Sequence, residues 1–382
     1  MRLILPICMR IAVNTRFLLP EYLEGYGYFI FETFKNLTNE HPEHEFIFIF
    51  DRPFDKRFVF SSNIIPVVAG PPARHPLLWK YWYDFKLRAV LKKYKADVFV
   101  SADGFCSLTT MVPQCIVVHD LAFLHYPAQI KKSHLFFFRK YIPRYLQKAS
   151  TIATVSQFSK QDIQRNYQIP ASKIDVVYNA SKEIFQPSSM EIIKATKEKY
   201  SAGTEYFVYV GAIHPRKNLV NLLKAFSIFK KRLKSNFKLI IAGRLAWKYE
   251  SFVRDLKKYK YRDDVILTGY LNEEELVKLM SSAYALVYPS LFEGFGVPVL
   301  EAMKCNVAVV TSSGTSMEEI AKDAALYFDP RNVDDIAEKM MVIYKNEDLK
   351  KSLVEKGEQV ARQYSWRQTS ERLWKCILKA VD

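Results

Sequence analysis

The stretch from Ala285 to Lys304 limits the possible folds more than any other part of the chain. Ala285 to Tyr288 reads as a short buried strand. Ser290 to Gly296 is a loop with two glycines, and Pro298 suits the first turn of a helix, where its missing N–H costs nothing. Strand, glycine loop and helix together point a helix N-terminus at an anion. Glu293 lies in the loop and Glu301 early in the helix. A carboxylate beside a phosphate is repelled by it, so Glu293 is expected to face sugar hydroxyls and Glu301 a second diol. Two acids around Gly294 and Gly296 therefore fit a phosphate flanked by two polyols, which is a nucleotide sugar.

The rest of the chain repeats the same grammar. Arg10–Val13, Glu45–Phe50, Asn63–Val68, Asp97–Ser101, Cys115–His119 and Thr151–Ser156 read as strands separated by helical segments. The alternation restarts at Tyr206–Ile213, followed by Phe237–Gly243, Val265–Tyr270 and Val307–Thr311. Continuous apolar strands alternating with helices argue for parallel sheets covered on both faces. With 382 residues, two such domains are expected. The formal charge is +16, with 24 basic and 15 acidic residues in positions 1–185 against 32 and 25 in the remainder. Both halves are thus basic, which suits anionic ligands without choosing among phosphorylated small molecules, anionic lipid and nucleic acid. The five cysteines form no C-x-x-C pair, so neither a disulfide framework nor a zinc cluster is indicated and a cytoplasmic setting is expected. No apolar run approaches the roughly 18 residues that span a bilayer. Residues 1–8 read as a dispensable extension.

Three further places carry chemistry. Arg216 and Lys217, in the loop after a strand and before a helix, can hold a diphosphate with two fixed cations. His119-Asp120 ends an apolar strand, where open α/β sheets place their ligands. Gly25-Tyr26-Gly27 reads as a glycine turn passing into a helix, a weak signal of close phosphate approach.

The pattern Glu293, seven residues, Glu301, with Phe292, both glycines and Tyr288-Pro-Ser before it, resembles the E-x7-E segment of the retaining glycosyltransferases of family 4. Gly211, Pro215, Lys217 and Asn218 resemble that family's G-x3-P-x-K-N loop, and Ser365-Trp-Arg-Gln-Thr369 resembles the start of its terminal helix. Ala180 stands where the family usually has glycine. The resemblance is strongest over residues 205–330 and weakest before 115. It implies the GT-B fold, two facing Rossmann-like domains around a cleft. The domains would be residues 1–187 on the acceptor side and 188–364 on the nucleotide-sugar side, with a terminal helix, 365–382, crossing back. It implies retaining hexosyl transfer to a saccharide or lipid-linked acceptor of surface polysaccharide synthesis. The donor would be GDP-mannose, with UDP-glucose or another UDP-hexose as the alternative. His119, Asp120, Glu293, Arg216 and Lys217 would act on the reacting groups. Gly25, Gly27, Arg244, Tyr270, Leu271, Gly294, Phe295, Gly296, Val297 and Glu301 would complete the donor site. No D-x-D dyad follows a strand, so no metal and no cofactor beyond the nucleotide-sugar co-substrate are expected. Two rivals remain. Non-hydrolysing nucleotide-sugar 2-epimerases share the architecture but lack this helix, and a non-catalytic binding subunit is the other; no nucleic-acid-binding signature is present.

Lys131–Lys148 carries six basic residues and no acid. At 3.6 residues per turn, Leu135, Phe138, Ile142, Tyr145 and Leu146 gather on one side, with Phe137 among the cations on the other. Such a face suits an anionic membrane surface as well as solvent.

Overall fold

The computed structural model describes residues 8–19, 23, 25–246 and 249–382, and the chain divides into two compact units. The expected extension at residues 1–8 lies outside the described residues save for the exposed Cys8, and so does Glu24.

The first unit comprises residues up to Asn179 together with Ser365–Asp382. Its strands are β1 (Arg10–Asn14), β2 (Glu45–Phe50), β3 (Ile64–Val68), β4 (Val98–Ser101), β5 (Gln114–Val118), β6 (Thr151–Thr154) and β7 (Ile174–Val176). They form one seven-stranded parallel sheet in the order β3-β2-β1-β4-β5-β6-β7. The order reverses between β1 and β4, so loops leaving those two strands diverge and open a crevice at their carboxyl ends. Phe46–Phe50 is apolar at every position because both faces of the sheet are covered, and all five side chains are buried. Each such burial contributes ~2 kcal/mol relative to exposure. The terminal helix Trp366–Val381 belongs to this unit. Ser365 caps it, and Leu373, Cys376 and Ile377 are buried along its inner face. Ser370 Oγ donates to the Thr33 carbonyl (3.1 Å) and Thr151 Oγ1 to the Cys376 carbonyl (2.9 Å).

The second unit, Ala180–Tyr364, holds β8 (Tyr206–Val210), β9 (Lys238–Ala242), β10 (Val265–Gly269), β11 (Ala285–Tyr288), β12 (Ala308–Ser312) and β13 (Ala325–Phe328). Its parallel sheet runs β10-β9-β8-β11-β12-β13, with the reversal between β8 and β11. Residues 180–187, attached to the first domain in the sequence reading, cluster with this unit. Ala180 is buried, and the positive φ near it falls on Tyr178, two residues earlier. A glycine is therefore not required at 180.

Three local expectations are corrected. Gly25-Tyr26-Gly27 is the first turn of the helix Gly25–Glu40 rather than a turn before it. Helical spacing from Leu77 to Tyr94 sets Trp79, Trp82 and Phe85 on one side of a single core-facing helix, but the segment contains a π-helical stretch, Trp82–Leu87, between two α-helical pieces. The wider turn shifts the inward register to Leu87, so Phe85 is 63% exposed instead of lying buried with Trp79 and Trp82. The helix Lys132–Lys148 is continuous through Pro143, and Phe137 is buried in the core beside Trp79 and Phe105 rather than among the cations. Its exposed aromatic is Phe136.

Candidate functional site

In the second unit, the loops after β8 and β11 meet at the reversal of the sheet. Leu291 N donates to the Arg216 carbonyl at 2.9 Å, which fixes one loop against the other. His214 accepts from Arg216 N (3.2 Å) and starts the short turn Pro215–Lys217, whose end at Asn218 has φ +61°. Asn218 Nδ2 donates to the Pro330 carbonyl at 2.6 Å, so the left-handed asparagine is tied down. These contacts aim two cations at one carboxylate. Lys217 Nζ stands 2.5 Å from Glu293 Oε1 and 2.8 Å from the Tyr288 hydroxyl. Arg216 approaches Glu293 Oε2 at 3.4 Å and also donates to the Phe292 carbonyl. Ser290 Oγ donates to Glu293 Oε1 (2.5 Å), and Ser316 Oγ to the Glu293 carbonyl (2.7 Å). Burial works to raise the Glu293 carboxyl, but Lys217 and then Arg216 outweigh it and hold it at about 2. Glu293 is ionised at every physiological pH.

The helix Val297–Lys304 starts immediately after this loop. Gly296 caps it with φ +94°, and a Cβ there would come within 2.9 Å of Met317 Cγ, so a larger residue would displace the helix start from the loop. Phe295 is buried against Tyr364, and Gly294 is buried beside it. On the next turn, Glu301 is 8% exposed, and among the described residues no donor is hydrogen-bonded to its carboxylate. Burial pushes its pKa up to about 7, only partly offset by Lys182 and Lys304. A buried carboxylate with open acceptor capacity takes a hydroxyl donor readily. Arg244 and Tyr270 are exposed just past β9 and β10, with Leu271 half-buried beside Tyr270. The structure thus joins Arg216, Lys217 and Glu293 by direct contact and sets Glu301 on the adjoining helix.

In the first unit, His119 follows β5. Its Nε2 bonds to the Ala102 carbonyl at 3.0 Å, and its ring packs edge-on against Tyr26 and Phe29. Burial lowers its pKa to about 4 against the opposing pull of Asp120, so it is neutral at pH 7. A neutral ring whose Nε2–H donates to a carbonyl presents Nδ1 as an acceptor. Asp120 accepts from Ala122 N at 2.9 Å, so the carbonyl of Ala102, not Asp120, orients the histidine. A Cβ on Gly27 would lie 2.4 Å from the Phe17 carbonyl, so only glycine lets the helix begin this close to the loop after β1. Gly25 meets nothing within 4 Å.

Two sets of residues are not legible in the sequence. Tyr288 and Ser290 hold the Glu293–Lys217 pair, whereas the sequence shows them as part of the motif before Glu293 with no sign of these contacts. At the carboxyl ends of β1 and β4, Arg16 pairs with Asp103 at 2.7 Å, and Asn14, Tyr83 and Ser101 complete a buried network. Arg16 and Asp103 are 87 positions apart, with no spacing pattern to connect them.

Comparison with known proteins identifies the family. The family model "Glycosyl transferases group 1" matches residues 173–360, and "Glycosyltransferase Family 4" matches residues 25–180. The chain is 31% identical over 297 residues to an O-antigen chain mannosyltransferase B of Escherichia coli, covering 77% of this chain and 78% of that one. It is 32% identical over 280 residues to the O-antigen chain mannosyltransferase RfbU of Salmonella typhimurium, covering 71% and 72% respectively. Among solved structures it is similar to WaaG, a glycosyltransferase involved in lipopolysaccharide biosynthesis (TM-score 0.74, 15% identity, 96% of this chain and 99% of that one). A glycosyltransferase from Rickettsia africae gives a TM-score of 0.75 at 16% identity, covering 98% and 99%. With two parallel-sheet α/β domains of the GT-B class and this degree of likeness, the chain belongs to the family 4, group 1 glycosyltransferases.

Proposed function

We propose that the protein transfers a mannosyl group from GDP-mannose to a saccharide on a lipid carrier, with retention at the anomeric carbon and without a metal ion, at the inner face of the cytoplasmic membrane. The observation that carries the reading is the Arg216–Lys217–Glu293 cluster at the sheet reversal, beside the unpartnered carboxylate of Glu301. The mannosyltransferase names of the relatives support the sugar; a UDP-hexose is the alternative donor.

In this reading the acceptor oxygen bonds to the anomeric carbon on the face that the leaving group departs. The bond from that carbon to the phosphate oxygen breaks, and the nucleoside diphosphate leaves with the acceptor's proton on a phosphate oxygen. Charge grows on the diphosphate, where Arg216, Lys217 and the helix N-terminus after Gly296 and Val297 receive it. Glu293 holds both cations in place and touches the hydroxyls of the transferred sugar. Glu301 takes the ribose diol. Arg244, Tyr270 and Leu271 flank the base, Phe295 and Gly294 shape the loop, and Gly25 and Gly27 open the first unit's helix toward ligand. Neutral His119, with Asp120 next to it, serves the sugar end of the donor.

The test is to incubate the protein with GDP-mannose and a lipid-linked saccharide in EDTA. Product with the donor's anomeric configuration is expected. Inversion, or abolition by EDTA with rescue by magnesium or manganese, would overturn the mechanism, and epimerised nucleotide sugar without acceptor would overturn the reaction.

Glu301 makes donor binding depend on pH. Ribose hydroxyls donating to the carboxylate favour its charged form, so binding must release the proton held below pH 7. Donor affinity is expected to fall as pH drops from about 7 toward 5, by up to about tenfold per unit. The pyrophosphate diester of the donor does not titrate in that window. Glu301→Gln should flatten the profile, and calorimetry at three pH values checks this; an unchanged slope in the variant would remove Glu301 from the ribose. The carboxyl binds its proton more tightly folded than unfolded, so the contribution of Glu301 to stability is fully present below its unfolded pKa and is lost as pH rises through about 7.

A further inference from the structure

We propose that Arg16 and Asp103 are positioning residues for His119: their buried ion pair fixes the peptide of Ala102, whose carbonyl holds the histidine so that Nδ1 is left as the acceptor for a sugar hydroxyl. This rests on the transfer reading for His119, and its test is separable from that reading.

The pair stands where the strands end in a crevice. Arg16 follows β1 and Asp103 follows β4, the two strands between which the sheet order reverses. Their side chains are 5% and 2% exposed. Two charges taken out of water add little net stability over apolar side chains of similar size. Stability alone is therefore a weak reason for a buried ion pair at this place.

Asp103 has no acceptor capacity left for a ligand. Its Oδ2 accepts from Arg16 Nε (3.0 Å), Arg16 Nη2 (2.7 Å) and Asn14 Nδ2 (3.2 Å). Its Oδ1 accepts from Ser101 Oγ (2.7 Å), the Tyr83 hydroxyl (2.8 Å) and Phe105 N (3.2 Å). Six donor contacts on two oxygens fill a carboxylate. What the pair does instead is hold the chain. Ser101, Asp103 and Phe105 are tied to one carboxylate, so the Ala102 peptide between the first two has one orientation. Gly104, at φ +77°, makes the tight return that this tying requires.

Arg16 secures the frame from the other side. Its Nη1 donates to the Ala73 carbonyl (3.3 Å), and Ala73 N donates to Asp51, directly after β2 (2.8 Å). Its guanidinium lies 4.9 Å from the centre of the Phe17 ring, and Phe17 packs edge-on against Tyr26 at 5.2 Å. Tyr26 in turn packs on His119 at 4.8 Å. One cation thus reaches His119 by two routes, through Asp103 and Ala102 to Nε2 and through Phe17 and Tyr26 to the ring.

The consequence is a choice of tautomer. A carbonyl only accepts, so the bond to Ala102 puts the proton on Nε2 and the lone pair on Nδ1. Among the described residues nothing bonds to Nδ1. A ligand group there must donate, as a sugar hydroxyl does. If the Ala102 peptide turns, the tautomer protonated at Nδ1 competes.

Long-range proton–nitrogen NMR on the histidine-labelled full chain reads the tautomer, with His119→Gln giving the assignment. The wild type should show His119 protonated at Nε2. Asp103→Asn keeps an acceptor for Ser101 but removes the charge that meets Arg16. It should show mixed tautomers and a kcat about tenfold lower, with the thermal shift given by GDP unchanged. Arg16→Met with Asp103→Asn leaves neither charge buried alone; it should show the same two changes with a melting temperature closer to wild type. In the His119→Gln background, Asp103→Asn should lower kcat no further, since a residue acting through His119 has nothing left to act on. A wild-type tautomer in both Asp103 variants, or a further fall of the same size in the His119→Gln background, would overturn the proposal. If the tautomer shifts as described while no nucleotide sugar is turned over, the positioning stands and the transfer reading falls.

Discussion

Glu293→Gln is expected to lower turnover by at least about a hundredfold while leaving the affinity for free nucleoside diphosphate within a few-fold of wild type. Glutamine keeps the shape, and its side-chain oxygen can still accept from Ser290. It removes the charge that Lys217 meets at 2.5 Å and Arg216 at 3.4 Å. With that counter-charge gone, the two cations attract a diphosphate at least as strongly as before, so product affinity has no reason to fall. What is lost is the acceptor for the sugar hydroxyls and the anchor that fixes both cations where charge develops. Stability should move as well. The carboxyl is held at about 2, below its unfolded value, so its charge stabilises the fold above the unfolded pKa, and that stabilisation is lost as pH falls toward 2. The glutamine variant should therefore melt lower than wild type at pH 7 and converge with it in acid. Separate measurement of kcat and of diphosphate affinity decides the matter: normal turnover, or equal losses in both, would remove Glu293 from the reaction.

Replacing Arg216 or Lys217 by alanine is expected to weaken nucleoside diphosphate binding by roughly 1.5–3 kcal/mol, a factor of about 10 to 150, and to leave the bare nucleoside nearly unaffected. Each residue supplies a charge-assisted contact, and Arg216 adds a planar fork that Lys217 cannot copy. Lys217→Ala carries a second consequence. It leaves Glu293 buried with the more distant Arg216 as its remaining cation, and an under-compensated buried charge is costly. Its melting temperature should fall further than that of Arg216→Ala. Adding Glu293→Gln to Lys217→Ala should restore melting temperature but not diphosphate affinity. Equal weakening of nucleoside and diphosphate in the single variants would show that the cations only support the loop.

The parts of the molecule that were legible in the sequence are those governed by short-range rules. Phe46–Phe50 announces a strand buried on both faces, and Gly296 before Pro298 announces a helix start. Arg216, Lys217, Glu293 and Glu301 follow strands at spacings that place them at a ligand-binding sheet end. The misplacements have physical reasons. A single core-facing stripe leaves Phe137 on the cationic face. The helix instead buries two neighbouring ridges, one carrying Phe137 and Tyr145, the other Ile142 and Leu146. Constant 3.6-residue turns place Phe85 on the side of Trp79 and Trp82, and the π-helical stretch Trp82–Leu87 breaks that count. Partners far apart in the chain leave no periodic trace, which is why Ala102 as the orienting group of His119, and the pairing of Arg16 with Asp103, emerge only in three dimensions. Tyr288 is hidden for another reason: as the last residue of an apolar strand it reads as core, and its hydroxyl contact with Lys217 depends on the following loop turning back.

The central claim is that a nucleotide diphosphate sugar binds at the cluster of Arg216, Lys217 and Glu293. Thermal unfolding with a panel of nucleotide sugars tests it most directly, because a ligand at 100 times its dissociation constant adds about 2.7 kcal/mol of stability. GDP-mannose is expected to give the largest rise in melting temperature in the wild type and almost none in the Arg216→Ala, Lys217→Ala double variant. A rise of equal size in both proteins, or no rise with any nucleotide sugar in the wild type, would contradict the account.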